Sequence, residues 1–463
     1  MASPQPRLPH IETSLDSDLR LSNGSRVAVI GGGPSGSFFS YFLLSMAERA
    51  GMNIAVDIYD PRDFSELGQL GCNKCGGIIY EALVQSLATD GIILPPSVVQ
   101  QGLASYTLHT DEGIVRIKPP SDENPIASVR RGAGPRGAIN TVSASFDAHL
   151  MTLAEGLGAR FLRERVTATA TVAGRPCVTT KEGRVESYDL LVGAVGVNSS
   201  NGSLLEGCAT GYVPPATTRA YITEILLGAD AIEKGLGDSM HVFLLNLPGL
   251  KFAAIIPKGD YATVCLLGRE VGQEMVEAFF RHPEVQSCFP AGWTLDLTRC
   301  RCAPSIIVGE AKGAFGDRFV AIGDCYVSRL YKDGIGNAYR TAKAAAQTAF
   351  LSGISKQDFQ KHYRPVCAAV ARDNRFGKVV FLATSLVQKW SFLRQGVVCM
   401  TNTEQVEGVS PRMSSILWDT FTGNASFRNI LKRALHPVFL VRLLLETSLG
   451  RAILPIPLGQ GRS

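Results

Sequence analysis

The chain has 463 residues, of which 45% are hydrophobic and 19% charged. That balance excludes a disordered or fibrous chain and leaves room for two or three domains, or one large domain with insertions. Charge is unevenly placed: Lys356 to Ser463 hold 15 Lys/Arg against 6 Asp/Glu, a net +9, so the first 355 residues carry −4 of the overall +5.

Residues 1–25 are polar, with no apolar leader, and are expected to be a disordered N-terminal segment. Eleven cysteines in such a chain point to a reduced, cytoplasmic setting rather than a disulfide framework. No run of 18 apolar residues occurs, so no membrane span is predicted.

Arg26 to Ile30 reads as a short strand, and Ser37 to Ala50 as a helix. Between them lie Gly31, Gly33 and Gly36, spaced G-x-G-x-x-G around Pro34 and Ser35. Ile54 to Tyr59 reads as a second strand, ended by Asp60, 24 residues after Gly36. A dinucleotide needs that order. The first glycine makes the turn, the second lets a pyrophosphate approach the backbone, and the third lets helix pack on strand. Free N–H groups at the helix start favour the phosphates, and the acid can accept ribose hydroxyls.

Further along, "GQLGCNKCGGIIYEAL" (68–83) carries Cys72-x-x-Cys75 before Gly76 and Gly77. "RCRCAP" (299–304) adds Cys300 and Cys302. Three readings stay open: thiol chemistry at Cys75, a four-thiolate zinc or iron–sulfur site, and inert packing. The seven histidines show no H-x-H or H-E-x-x-H spacing; His109, His241 and His282 read as core or surface residues, with a proton-donor role as the alternative. "YDLLVGAVGVNSS" (188–200) is a buried strand running into a glycine turn. "GDRFVAIGDCYVSRLYKDGIGNAYRTAKAAAQTAF" (316–350) is strand, Gly323-Asp324, loop, Gly334-Ile335-Gly336, then an alanine-rich helix. Asp324 at a strand end can bond a ribityl hydroxyl, and the helix start can face a flavin's electron-rich edge. Tyr331 and Lys332, just before that turn, are candidates for substrate contact.

These segments resemble the FAD-dependent oxidoreductases of the aromatic hydroxylase and geranylgeranyl reductase superfamily, closest on the reductase side. "SFDAHLMTLAEGLGARF" (145–161) resembles the helix before that family's third sheet strand. The resemblance implies FAD held by Gly31, Gly33, Gly36, Asp60, Asp324 and Gly336, with Pro34, Ser35, Gly323, Gly334 and Ile335 in the same turns. It also implies an arginine near the phosphates, Arg130 or Arg131, with Arg136 as a rival. It puts Cys75 near the flavin's reactive face, as proton donor or shuttle. Val195-Gly196 stands where the hydroxylases carry Asp-Gly. "KFAAIIP" (251–257) lacks the halogenase tryptophans; Phe252 and Pro257 echo the reductase motif at a comparable place.

The fold expected is α/β. An FAD-binding Rossmann-like domain (about 26–80, 125–200 and 305–355) is interleaved within 26–355 with an α+β substrate domain (about 81–124 and 201–304). A helical, basic region follows at 356–463. The function implied is reduction of a carbon–carbon double bond in a prenyl or other apolar substrate, with NAD(P)H or a ferredoxin-type protein as electron donor. A flavin monooxygenase and a flavin/thiol electron carrier are the alternatives. "LKRALHPVFLVRLLLETSLGRAILP" (431–455) mixes leucines with basic residues. It reads either as helix packed on the body or as peripheral contact with an anionic membrane. No nucleic-acid module is seen.

Overall fold

The computed structural model describes residues 19–68, 71, 76–119, 126–135, 145–198, 202–207, 211–296, 300–331, 333–405 and 409–449. Its centre is a six-stranded sheet. In spatial order the strands are Phe315–Gly316, Phe319–Ala321, Leu190–Gly193, Arg26–Ile30, Ala55–Tyr59 and Arg160–Leu162. All neighbours run parallel except the first pair. Strands buried on both faces read as apolar runs, and VAVI (27–30) and LLV (190–192) do so.

One face of the sheet is covered by the helix Pro34–Arg49, which buries Phe38, Phe39, Leu43 and Ala47 at helical spacing. Each fully buried Phe or Leu contributes roughly 1.5–3 kcal/mol. The helix Gly334–Gln347 lies against it. Its buried Ala338, Ala342, Ala345 and Ala346 let the two helices approach, and Phe38 meets Tyr339 edge-on at 5.7 Å. This explains the alanine run.

A second, larger sheet is mostly antiparallel. Its order is Arg301–Cys302, Thr217–Leu226, Tyr261–Gly268, Leu250–Lys258, Ser239–Phe243, Ser105–Thr110 and Gly113–Ile117, and Ser305–Ile307 also pairs with Thr217–Leu226. Side chains alternate between faces along each strand. Val242, Ala254 and Ile256 share one apolar cluster, whereas Phe243, Ala253 and Ile255 share another. The sheet therefore has two chemically separate sides.

The C-terminal region is helical: Arg364–Lys389, Ser391–Glu404, Met413–Thr422, Phe427–Ala434 and Pro437–Leu449. Val380, Met400, Trp418 and Phe427 pack into the cluster that holds Val242 and Ile256, so these helices cover part of the large sheet. Among the described residues no helix is long and apolar enough to cross a membrane. At the other end, residues 19–25 depart from the expected disorder. Leu21 is buried, Ile354 N–H donates to Leu19 O at 2.8 Å, and Gly24 N–H donates to Asn53 O at 2.7 Å.

Candidate active site

A cleft of about 610 Å³ opens at the carboxyl ends of the parallel strands and runs on to the large sheet. That edge is where open α/β sheets bind ligands. Four turns border it: Gly31, Gly33, Pro34 and Ser35; Asp60 to Arg62; Ala194 to Asn198; and Asp324 with Ser328 to Ile335 (Lys332 lies outside the described residues). The far wall is apolar, with Met240, Val242, Phe252, Ala254 and Ile256 facing in. Phe421 closes it from the C-terminal helices.

The first turn requires its glycines. Gly31 has φ +110°, and a Cβ there would lie 2.4 Å from Ala194 O. A Cβ on Gly36 would lie 2.0 Å from Gly31 O, so the helix can leave the strand this closely only with glycine. Gly36 thus shapes the turn from behind rather than lining the cleft. The helix begins at Gly33 with Pro34 at its first position and no side-chain cap, which leaves its N–H groups to an anion.

Asp60 is buried and already occupied. Gly32 N–H donates to its Oδ2 at 2.9 Å, Arg62 Nε to Oδ1 at 3.0 Å, and the Arg62 terminal nitrogen to Oδ2 at 2.7 Å. Arg131 lines the cleft and holds the buried Asp147 by a fork of 2.6 and 2.9 Å. Its neighbour Arg130 does not line the cleft. It lies over the Tyr261 ring at 4.6 Å, beside a smaller cavity that Cys300 and Cys302 also border.

Asp324 differs from Asp60. Its Oδ1 is shielded from solvent and has no hydrogen-bond partner. Burial lifts its pKa above the ordinary carboxylate value, against the opposing Ser328 hydrogen bond and the Arg131 charge. An orphaned buried acceptor facing a cleft calls for a donor. The preceding Gly323 lies behind the lining; a Cβ there would sit 2.0 Å from Ser35 Oγ. Gly334 and Ile335 reach the cleft, but Gly336 does not. Its N–H is taken by Asp333, which caps the helix at 3.0 Å from a left-handed conformation, and a Cβ on Gly336 would strike that carboxylate. The helix start is therefore less open to a ligand than the spacing suggested. Asp333 is further held by Tyr80 and Arg340.

Tyr331 lines the cleft with φ +63°, its hydroxyl accepting from Lys251 and its ring edge-on to Phe381 at 4.8 Å. The loop is tied down by Arg329, which donates to Gly423 O and Ala425 O at 2.6 Å each. Cys72, Cys75, Lys332 and Arg136 lie outside the described residues. Gly76 and Gly77 line the cleft; Gly77 has φ +70°, and a Cβ there would lie 2.0 Å from Val129 O. Cys325, beside Asp324, is buried with Gly196 N–H directed at its sulfur, and burial pushes its thiol up to about 12.

Sequence reasoning missed Arg62, Tyr80, Lys251 and Phe421. Arg62 follows the strand-end acid by two residues, a local signal. Tyr80 and Phe421 join the cleft, and Lys251 reaches its lining residue Tyr331, only through tertiary packing, although period-two alternation from Phe252 does mark Ala254 and Ile256 as its companions.

No family model and no curated protein matches the chain. Solved structures do. A geranylgeranyl bacteriochlorophyll reductase-like protein of Thermoplasma acidophilum matches with a TM-score of 0.64 at 16% identity, over 89% of this chain and 98% of that one. A flavoprotein/dehydrogenase of Cytophaga hutchinsonii matches with a TM-score of 0.61 at 14% identity, over 92% and 99%. The halogenase PltM, solved with phloroglucinol and FAD, matches with a TM-score of 0.57 at 12% identity, over 93% and 92%. The chain has the fold that these proteins share.

Proposed function

We propose that this chain is an FAD-dependent oxidoreductase that reduces a carbon–carbon double bond of a prenyl or other apolar, lipid-like substrate. The observation that carries the reading is the continuity of the cleft. One end is a glycine turn and strand-end carboxylates suited to a dinucleotide; the other is an apolar sheet face suited to a hydrocarbon. FAD fits on two grounds: the unpartnered Asp324 Oδ1 supplies an acceptor for a ligand hydroxyl, and Gly31 and Gly33 line the cleft at a helix start with no side-chain cap, where a pyrophosphate can approach the backbone.

FAD would supply the two-electron redox chemistry, recharged by NAD(P)H or a ferredoxin-type donor. The chain's own residues have four tasks. The uncapped helix start at Gly33 to Ser35 binds the phosphates, with Arg131 nearby. Asp60 and Asp324 bind sugar and ribityl hydroxyls, which requires Arg62 to share or release Asp60. Phe252, Ala254 and Ile256 bind the substrate's chain and exclude water. Cys75, carried next to the close-packed Gly76 and Gly77, delivers the proton that accompanies the hydride, so the alkene gains two hydrogens in all. Tyr331, held by Lys251, is a polar contact at the substrate end. Val195 in place of an acidic residue weighs against the hydroxylase alternative.

The substrate's chemistry calls for access from a membrane surface. Val438, Val441, Leu444 and Leu445 on the last described helix are at least half exposed, and Lys432 and Arg433 precede them. We assign this face to peripheral contact with an anionic bilayer by a protein of the cytoplasm.

The test is an absorption spectrum and metal analysis of the purified protein, followed by anaerobic turnover of the reduced protein with geranylgeranyl lipids. A flavin spectrum and a product heavier by two hydrogens support the reading. Absence of flavin overturns it. An oxygenated product with oxygen uptake favours the monooxygenase. Flavin with no organic product but reactive thiols favours the electron carrier. Sedimentation with anionic, but not neutral, vesicles checks the membrane contact.

A further inference from the structure

On the side of the large sheet away from the cleft, three metal-ligating side chains meet in the core. His109 and His241 come from parallel neighbouring strands, in which His109 pairs with Phe243 and His241 with Thr107. The alternation that points Met240 and Val242 at the cleft sends His241 to the other side. Cys288 follows the short helix Pro283–Gln286. All three are buried, with His109 2%, His241 7% and Cys288 1% exposed. His109 Nε2 and His241 Nδ1 are 2.7 Å apart; Cys288 Sγ lies 3.5 Å from His241 Nδ1 and 4.0 Å from His109 Nε2.

The protons do not distribute comfortably over neutral rings. His241 Nε2 donates to Leu236 O at 3.1 Å, so its Nδ1 carries a lone pair. His109 Nδ1 faces Glu284 Oε2 at 3.5 Å, and both atoms are buried without a hydrogen bond. If His109 carries its proton on Nδ1, for Glu284, then its Nε2 and His241 Nδ1 present two lone pairs to each other. If the proton sits on Nε2, a lone pair faces the carboxylate. A cation among Nε2, Nδ1 and Sγ removes the conflict: both rings present lone pairs to it, His109 donates to Glu284, and Cys288 binds as thiolate.

We propose that His109, His241 and Cys288 form a transition-metal site, most compatible with zinc. The donor set suits that ion: two imidazoles and one thiolate. Tetrahedral bonds of about 2.0–2.1 Å to nitrogen and about 2.3 Å to sulfur put the nitrogens roughly 3.3 Å apart and each roughly 3.6 Å from sulfur. The cluster needs shifts of about half an ångström to meet those distances. Its outer contacts are those that metal-bound histidines use: a carboxylate behind one ring and a backbone carbonyl behind the other. A metal takes the His241 ring as the neutral base, with Nε2–H kept on Leu236 O, and Cys288 as the thiolate. Metal uptake therefore releases the thiol proton, and apparent affinity rises with pH. The ion would staple two strands to the 283–288 segment behind the substrate wall. It is separate from the Cys72/Cys75/Cys300/Cys302 set, since it shares no residue with it.

The test uses the full-length protein, purified, freed of metal with a chelator and titrated with zinc or cobalt(II). Expected are one ion per chain and, with cobalt, a thiolate charge-transfer band. Cys288→Ser should abolish that band and His241→Gln the stoichiometric binding. Glu284→Gln should weaken zinc about 10–100-fold, and Glu277→Gln, on the outer side of the helix Gln273–Arg281 where it pairs with Arg281, should leave it unchanged. Circular dichroism checks that each variant is folded. Failure of the folded wild-type protein to take up zinc or cobalt overturns the proposal in favour of a buried imidazolium–carboxylate pair of His109 and Glu284. Stoichiometric metal retained by folded Cys288→Ser also overturns it, placing the ion elsewhere. Neither result bears on flavin, which is read separately in the visible spectrum.

Discussion

Two carboxylates stand at the carboxyl ends of strands in the same parallel sheet, and the protein treats them in opposite ways. Asp60 is filled by its own chain, with Arg62 on both oxygens and the Gly32 N–H on one. Asp324 keeps one shielded oxygen unbonded. A saturated carboxylate holds the apo structure together; an unsaturated one holds affinity in reserve for a ligand, at a cost to the apo protein. Asp57, inside the strand that Asp60 ends, extends the first case. It accepts from both Arg160 nitrogens and from the Tyr188 hydroxyl, each at 2.8 Å.

The largest effect on stability is expected at Asp57. Asp57→Ala removes the buried acceptor of both Arg160 and the Tyr188 hydroxyl, leaving Tyr188 only its bond to the Tyr59 hydroxyl, and should cost about 3 kcal/mol, read as a lower urea midpoint. Burial alone would raise the Asp57 pKa, but the hydrogen bonds and charges of Arg160, Tyr188 and Arg26 outweigh it and hold it below the ordinary carboxylate value. The unfolded chain therefore binds more protons than the native one at acid pH. This contribution is complete above the ordinary value near 3.9 and fades as pH falls towards the native one. Urea midpoints measured down this range should fall less steeply in Asp57→Ala than in the wild type.

Asp324→Ala should do the reverse. Flavin affinity should drop about 10–100-fold, from the loss of one hydrogen bond to a charged acceptor worth roughly 1.5–3 kcal/mol. The flavin-free variant should melt no lower than flavin-free wild type, because it no longer buries an unbonded carboxylate oxygen. Full flavin occupancy in Asp324→Ala at low flavin concentration would break the comparison. Asp60→Ala should show the complementary pattern, with apo stability lowered by about 2 kcal/mol, because Gly32 N–H and Arg62 lose their acceptor.

Smaller changes are expected at the substrate end. Ala254→Phe should narrow the apolar wall and raise KM for a prenyl substrate several-fold, with flavin binding unchanged. Cys75→Ser should lower turnover while flavin stays bound; unchanged turnover would remove Cys75 from the proton-donor role. Tyr331→Phe, which loses only the Lys251 hydrogen bond, should change KM least.

What was legible in the sequence lay in short, local physics. The strand–glycine–helix unit at 26–50, the strand-end Asp60 and the Gly323-Asp324 turn are each set within about thirty residues. Steric demands there admit few alternatives: Gly31 and Gly36 are needed wherever a strand turns into a helix this tightly. The alanine-rich helix was legible too, although only its packing on Pro34–Arg49 explains the alanines. Local spacing misled at Gly336, which fits the glycine pattern but serves the Asp333 cap. It was silent on Arg130 and Arg131, adjacent residues that share the smaller cavity while only Arg131 also reaches the cleft.

The sequence alone thus determined the α/β class, the strand–glycine–helix turn and the helical C-terminal region, because glycine sterics and hydrophobic periodicity act over a few residues. Only the tertiary structure decided which carboxylate is left unsatisfied, which face of the large sheet becomes the cleft, and that His109, His241 and Cys288 share one core. Those outcomes depend on pairing between segments far apart in the chain. Strand register chooses the face each side chain takes, and no local signal encodes what waits on the other side.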